Sequence, residues 1–406
     1  MKKSRLCAVL IIILLLMGTT IVITGCWDRQ EIEELGIVVG ISIDHPHTTV
    51  GKKQEEKESE EYKDRKEHRL TVTQQFVVPK AVGEGSASTK ADQRPYTNIS
   101  TEGDSFVQIS RQFDTMTSRS SYYKHLKVII ICEHVAESIN MKKLLDTFLR
   151  EPGIERDVQI MISKGCGKKV LEIEPVKEDL PSNALVALGK NMDSTSRMVR
   201  TLTLGDMSKK MTAESSFLVP RVIAHGKSVQ LAGANIVKGK TNKLIGWLGE
   251  EETDGINWIL GGVKGGVVEA IDKKTKEVIG YGVHNVKSKI VPKVDGEEIS
   301  FTVEIESEGS IEENWTMDGN EFEEEFIERA RESIKEEISS IIDDGLRKTQ
   351  KEFKVDVVGF GKKLSIKYPK VWEKVKDHWD EQFSKIPVKI KLEIYVRDFG
   401  EKGRMM

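Results

Sequence analysis

The chain has 406 residues, 38% of them hydrophobic and 31% charged, which is enough for two or three globular domains with sizeable cores. Its net charge is −3, so it lacks the basic excess that marks a nucleic-acid binder. Removing residues 1–25 takes away Lys2, Lys3 and Arg5 and leaves a body at −6, which an anionic membrane surface does not attract.

The N-terminus supplies another means of retention. "MKKSRL" is a positive n-region, and Leu6 to Ile23 follows with 18 residues and no charge. That length falls between the h-region of a secretory signal, about 7–15 residues, and a membrane-spanning helix of about 20. The end of the run decides. Ile23-Thr24-Gly25-Cys26 sets small residues where a peptidase cleft needs them and a thiol just beyond. This ending resembles a bacterial lipobox, with cleavage between Gly25 and Cys26, a diacylglycerol on the Cys26 sulfur and an acyl group on the freed amine. Each buried CH₂ contributes about 0.8 kcal/mol, and two chains hold stably where one holds marginally. The alternative is an uncleaved helix with Cys26 as a bystander. Both readings put the body outside the cytoplasmic membrane, because Lys and Arg stay on the cytoplasmic side.

"GIVVGISID", Gly36 to Asp44, and "HRLTVTQQFVVPK", His68 to Lys80, read as strands. Between them Gly51 to Arg69 carries seven basic and seven acidic residues, a solvated hairpin tip. Val82 to Ser100 is rich in Gly, Ser and Thr and reads as loop. "GDSFVQISRQFDTM" sets Phe106, Ile109 and Phe113 on one helix face. "HLKVIIIC" is a strand buried on both sides, "MKKLLDTFLREPG" an amphipathic helix stopped at Pro152, and "RDVQIMIS" another strand.

From Leu218 onward short strands alternate with turns at His225-Gly226 and Lys238 to Asn242. A helix spans about Glu250 to Leu260, and a strand meander runs from "GGVVEAID" through "EISFTVEIES". A long helix carries Phe322, Phe326, Ala330, Ile334, Ile338 and Ile341 as an apolar stripe, with a Glu325–Arg329 pair on its wet side. A shorter helix after Pro369 turns Trp372, Val375, Trp379 and Phe383 inward. The last strand alternates strictly, with Val388, Ile390, Leu392, Ile394 and Val396 inward and Lys389, Lys391, Glu393, Tyr395 and Arg397 outward. The fold class is α+β, and the C-terminal part is expected to be an antiparallel sheet with helices on one face.

Motifs for chemistry are weak. "ANIVKGKT", Ala234 to Thr241, fits a loose phosphate-loop pattern, but its interior prefers a strand and no helix follows. "GGVKGG", Gly261 to Gly266, reads as a mobile junction between domains. The eight histidines show no metal spacing, and no cofactor loop or catalytic constellation emerges. Cys132 reads as a buried small hydrophobe, and it and Cys166 are expected to be free thiols.

Four stretches together resemble the Ger(x)C spore germination lipoproteins. They are Cys26-Trp27-Asp28 with Glu31, Ile32 and Leu35; "HLKVIIICEHVAES"; "KLIGWLGEEETDGINWILGGVKGG"; and "PKVWEKVKDHWDEQFSKIPVKIKLEIYV". The resemblance implies three mixed α/β domains after a cleaved signal: 1–25 signal peptide, 26–203, 204–262 and 263–406. It implies the C subunit of a nutrient germinant receptor, lipidated at Cys26 on the outer face of the spore inner membrane, with no cofactor and no catalytic residues. Its implied partners are the A-type and B-type membrane subunits, one with a soluble domain and one resembling an amino-acid transporter. Candidate docking faces are the outward side of the last strand and the "GEEETDG" helix. A solute-binding lipoprotein of a transporter, which needs two similar lobes and a hinge, and a lipid-anchored hydrolase, which needs a deep pocket, are the competing classes.

Overall fold

In the computed structural model, residues 35–46, 69–78, 94–316 and 324–398 are described. Continuous β-branched runs need cover on both faces, and the sheet at the heart of the N-terminal half provides it. Its strands are β1 (Leu35–Asp44), β2 (Leu70–Val77), β3 (Tyr96–Gly103), β4 (Ser120–Tyr122), β5 (Val128–Cys132), β6 (Gln159–Lys164), β7 (Leu202–Thr203), β8 (Phe217–His225), β9 (Ser228–Lys238) and β10 (Lys243–Leu248). The order is β10-β9-β8-β6-β5-β1-β2-β3, with β4 on β1 and β7 on β6. The centre is parallel, β1 to β5 to β6 to β8, and both flanks are antiparallel.

Strand parity sorts the two cores. Ile129 and Ile131 of β5 join Ile160 and Ile162 of β6 on one face, under α1 (Phe106–Met116), α3 (Met141–Arg150) and α6 (Leu204–Thr212). Val128, Ile130 and Met161 face the other way, under α4 (Gly167–Leu171) and α5 (Pro181–Lys190). A short α2 (Glu133–Ser138) follows β5 directly. At Gly40 a Cβ would lie 2.2 Å from the Ser182 hydroxyl, so only glycine lets α5 cross here. Ser182 also donates to Gln75 Oε1 at 2.7 Å, which satisfies a buried amide on β2.

Several sequence expectations hold in this half: the strands at β1, β2, β5 and β6, the α1 face with Ile109 and Phe113 buried, and the turn between β9 and β10. The loop expected from Val82 to Ser100 ends early, because Tyr96, Thr97, Ile99 and Thr101 are strand formers that pair antiparallel with β2. Helices α4, α5 and α6 had no counterpart in the reading. α6 starts on a Thr203 cap whose side chain accepts from the Asp206 N–H at 3.1 Å. The boundary expected between 203 and 204 falls inside this sheet, since β8, β9 and β10 extend it through the β6–β8 pairing.

The second sheet has the order β11 (Val267–Ile271), β12 (Val278–Asp295), β13 (Glu298–Asn314) and β14 (Val388–Asp398). β12 and β13 form a long hairpin closed by Gly296 and Glu297, with Gly296 at φ +60°, the left-handed position that two-residue hairpin loops require. The sheet is mixed where an antiparallel one was expected: β14 pairs parallel to β13. The reason is the helical connection that the described residues 324–387 provide. A crossover of that kind carries the chain back to the end where β13 began, and only a parallel strand can follow.

That connection holds α8 (Glu324–Leu346), a π-helical turn at Arg347–Glu352, α9 (Phe360–Lys367), α10 (Pro369–Val375), a 3-10 turn, and α11 (Trp379–Phe383). The α8 stripe is Phe326, Ala330, Ile334, Ile338 and Ile342; Ile341 is only half-buried, because the apolar register drifts by one residue in the last turn. Phe322 lies outside the described residues. Arg329 does not pair with Glu325. It turns inward and binds the fully buried Asp272 at 2.7 Å. The expected helix after Pro369 is broken into α10 and α11, with Trp379 and Phe383 buried and Trp372 and Val375 half-buried. α9 was not foreseen.

Helix α7 (Glu250–Leu260) joins the two sheets. Its Ile256, Trp258 and Ile259 share one core with Ile236 of β9 and with Tyr281, Phe301 and Ile334 of the C-terminal part. α7 crosses α8 backbone to backbone. A Cβ on Gly255 would lie 2.1 Å from the Ile341 carbonyl, and one on Gly345 would lie 2.8 Å from the Glu252 carbonyl.

Candidate interaction surfaces

The expected lipidation site, Cys26, and the cleavage point after Gly25 lie outside the described residues, as does most of the charged tip at 51–69. The two cysteines among the described residues, Cys132 and Cys166, are free. Cys132 is buried at the end of β5, and burial pushes both its thiol and that of Cys166 above the ordinary range, which leaves neither disposed to react as a thiolate. "ANIVKGKT" is the end of β9 and the turn into β10, with no helix N-terminus behind it.

The buried ionic groups do structural work. Asp44 accepts from the N–H groups of Gly167 and Lys168 and from Ser42 Oγ, which fixes the start of α4 on β1. Asp356 accepts from the N–H groups of Gly359, Phe360 and Gly361 and from Trp379 Nε1 at 2.7–3.0 Å, which fixes the start of α9 against α11. Burial raises the Asp272 carboxyl, but Thr275 and Arg329 outweigh it and hold the group below the usual aspartate value. Asp254 differs: burial pushes its carboxyl up, and its Oδ1 has no hydrogen-bond partner among the described residues. It lines neither the enclosed cavity of about 10 Å³ beside Arg221 nor the surface groove of about 300 Å³ beside Leu260. Among the described residues no group of three or more His, Cys, Asp or Glu is placed to hold a metal, and no helix is long and apolar enough to cross a membrane.

Of the two candidate docking faces, one is a continuous exposed face. On β14, Lys389, Lys391, Glu393, Tyr395 and Arg397 are exposed, and Lys391 and Arg397 reach Glu304 and Glu308 of β13. The strand is also an edge, with one side of its backbone unpaired. The "GEEETDG" helix does not stand. Thr253, Asp254 and Gly255 are buried, and of the motif only Gly249 to Glu252 meets solvent. The surrounding stretch "KLIGWLGEEETDGINWILGGVKGG" acts as a joint between the sheets. Gly246 makes room for the Phe353 ring, 2.2 Å from where a Cβ would sit, and Trp247 stacks under the Arg221 guanidinium at 4.4 Å. Asn257 Nδ2 donates to the Ser196 and Met198 carbonyls at 2.7 and 2.8 Å. The Gly261–Gly266 run, expected to be mobile, is tied down: Gly262 N–H donates to Val286 O, Val286 N–H to Val263 O, and Val283 N–H to Gly266 O. Its glycines serve close approach, since a Cβ on Gly265 would meet the Asp193 carbonyl at 2.2 Å.

The sequence reading missed a third surface. The groove beside Leu260 runs between the end of α7, Ser288 and Ile290 of β12, and Lys362, Lys363 and Ile366 of α9. The available signal was charge clustering. Residues 347–376 hold 10 basic and 3 acidic side chains, directly after residues 298–346 with 3 basic and 17 acidic.

Two sheets joined by α7, with this signature at the joint, define a class. Residues 28–224 match the spore germination protein N-terminal domain, and residues 232–400 match the spore germination B3/GerAC like, C-terminal domain. The chain belongs to the GerAC-like family of spore germination proteins. It is 36% identical to spore germination protein YndF of Bacillus subtilis (strain 168), over 98% of both chains. It is 30% identical to spore germination protein A3 of the same strain, over 96% of this chain and 98% of that protein. The crystal structure of the GerBC protein shares the fold, with a TM-score of 0.59 at 22% identity over 91% of this chain and 100% of that one.

Proposed function

We propose that this chain is the lipid-anchored, non-catalytic C subunit of a spore nutrient germinant receptor, needed for germination in response to nutrients. Diacylglycerol on Cys26 holds it on the outer face of the spore inner membrane, and it docks there with A-type and B-type membrane subunits. Support comes from family membership across nearly the whole chain. The observation that carries the anchor is positional: Cys26 ends a charge-free run, and the match to the family's N-terminal domain begins at residue 28. The buried carboxylates of Asp44, Asp272 and Asp356 hold the body's own elements. Confinement to the membrane plane raises the effective concentration of the body for membrane partners, so individually weak faces suffice.

Mass spectrometry of the mature product tests the anchor directly, and is expected to find the chain starting at a Cys26 that carries lipid. Cys26→Ala is expected to release the protein from spore membranes and to impair germination with nutrients. A bare or uncleaved start, or a variant that stays bound in normally germinating spores, overturns the reading.

A further inference from the structure

The groove beside Leu260 carries a feature that family membership does not assign. Ile366 is 71% exposed and Leu260 47%, on opposite lips of the groove. Lys362 and Lys363 stand four and three positions before Ile366 on α9 and line the groove with it, and Lys370 follows beyond the break at Tyr368, at the start of α10. All three lysines are exposed, and none makes an ion pair among the described residues. The nearby acids are taken: Glu352 pairs with Lys348 and Glu373 with Lys376. The platform is rigid, because Asp356 takes three N–H groups at the start of α9 and a Cβ on Gly361 would lie 2.8 Å from Trp379 Nε1.

We propose that this patch docks the body onto an anionic phospholipid surface, with Ile366 and Leu260 entering the headgroup layer and Lys362, Lys363 and Lys370 set against lipid phosphates. The proposal rests in part on the reading that the chain is tethered to a membrane. The residue types select lipid over a protein partner. Protein interfaces are enriched in aromatics and Arg and depleted in Lys. Here the cations are lysines, flexible point charges suited to a diffuse anionic layer, and the apolar residues are aliphatic. The patch also resolves a conflict of charge. The body is acidic overall, but its negative excess lies in residues 298–346 and its positive excess in residues 347–376. A net repulsion of the whole body is thereby compatible with local attraction at the patch, which belongs to the basic stretch.

The test is acetylation footprinting of the mature full-length chain, reconstituted into vesicles of phosphatidylcholine alone or enriched in phosphatidylglycerol. Lys362, Lys363 and Lys370 are expected to react more slowly only in the phosphatidylglycerol vesicles, and high salt restores their reactivity. Lys273 and Lys391, elsewhere on the C-terminal part, serve as controls that do not change. Lys363→Gln is expected to shift the docked-to-undocked ratio about fivefold, the factor that corresponds to ~1 kcal/mol per basic residue near an anionic surface. Ile366→Ser, an exposed change that leaves the fold intact, is expected to weaken protection at Lys362 and Lys370. Equal reactivity in both vesicle types overturns the proposal. Protection that needs co-reconstituted receptor subunits and ignores phosphatidylglycerol also overturns it, in favour of a protein interface. The outcome is separable from the anchor: a chain with unmodified Cys26 that still shows phosphatidylglycerol-dependent protection refutes the tether and keeps the patch.

Discussion

The two sheets of this protein solve the same problem differently. The N-terminal sheet is parallel at its centre and covered on both faces, so β5 is buried from Val128 to Cys132 without a break. The C-terminal sheet is covered on one face, so β14 alternates between Leu392 and Ile394 inside and Lys391, Glu393 and Tyr395 outside. The central strands of the first sheet have no wet face to offer a partner. The second exposes a face and an edge, and its helical cover carries the segregated charge. The comparison teaches that in this molecule a long two-sided strand contrast, dry on one face and wet on the other, belongs to the C-terminal sheet, while the N-terminal sheet is built around a doubly covered centre.

The sharpest way to break the comparison is at the buried ion pair of the C-terminal half. Arg329→Met leaves Asp272 charged, fully buried and unpaired, and is expected to cost about 3–5 kcal/mol. Urea unfolding followed by tryptophan fluorescence reads this, because Trp258, Trp372 and Trp379 all lie in the C-terminal core or against it. The double variant Arg329→Met with Asp272→Ala should recover most of the loss, since it removes the orphaned charge. A single variant as stable as the parent would show that the pair is incidental.

Parity tests the covering rule itself. Ile130→Ala and Ile131→Ala point to opposite faces of the N-terminal sheet and are each expected to cost about 2–5 kcal/mol. On β14 only one parity should matter: Leu392→Ala falls in the same range, and Lys391→Ala stays within about 0.5 kcal/mol. A large loss at Lys391, measured by the same unfolding experiment, would mean that its pairing with Glu304 is worth more than a surface ion pair.

The smallest effect concerns the joint between the sheets. Burial raises the Asp254 carboxyl, so the folded chain holds that proton more tightly than the unfolded chain does. This contribution is favourable in acid and is lost as pH climbs from the ordinary aspartate range through the raised value. Asp254→Asn removes that slope. Thermal unfolding between about pH 4 and pH 8 should show the variant gaining on the parent toward neutral pH and converging with it in acid. Parallel curves would mean that Asp254 is not strained in its charged form.

What could be read from the residues follows their short-range periodicities. A period of two exposed β14, an unbroken apolar run exposed β5, and a 3.6-residue stripe exposed α1 and α8, because each reports which side of one element is dry. The reading failed where the answer depended on what lies opposite. Arg329 looked like half of a solvent pair with Glu325, yet its partner Asp272 is 57 positions away. The "GEEETDG" turn looked wet, yet α8 covers Thr253 to Gly255. The glycines of Gly261–Gly266 looked like a hinge, although glycine serves close packing as readily as freedom, and nothing local separates the two.

By itself the sequence determined the types of the strongly periodic elements, the dry and wet faces of β14, the lipobox-like start and the segregation of charge along the C-terminal third. Tertiary structure alone decided that β14 runs parallel to β13, that β8 to β10 extend the first sheet, and that Leu260 and Ile366 share one groove with Lys362 and Lys363. The division has a physical cause. Side-chain periodicity is a property of neighbouring residues along the chain, whereas strand direction, buried ion pairs and composite surfaces arise only when distant segments meet.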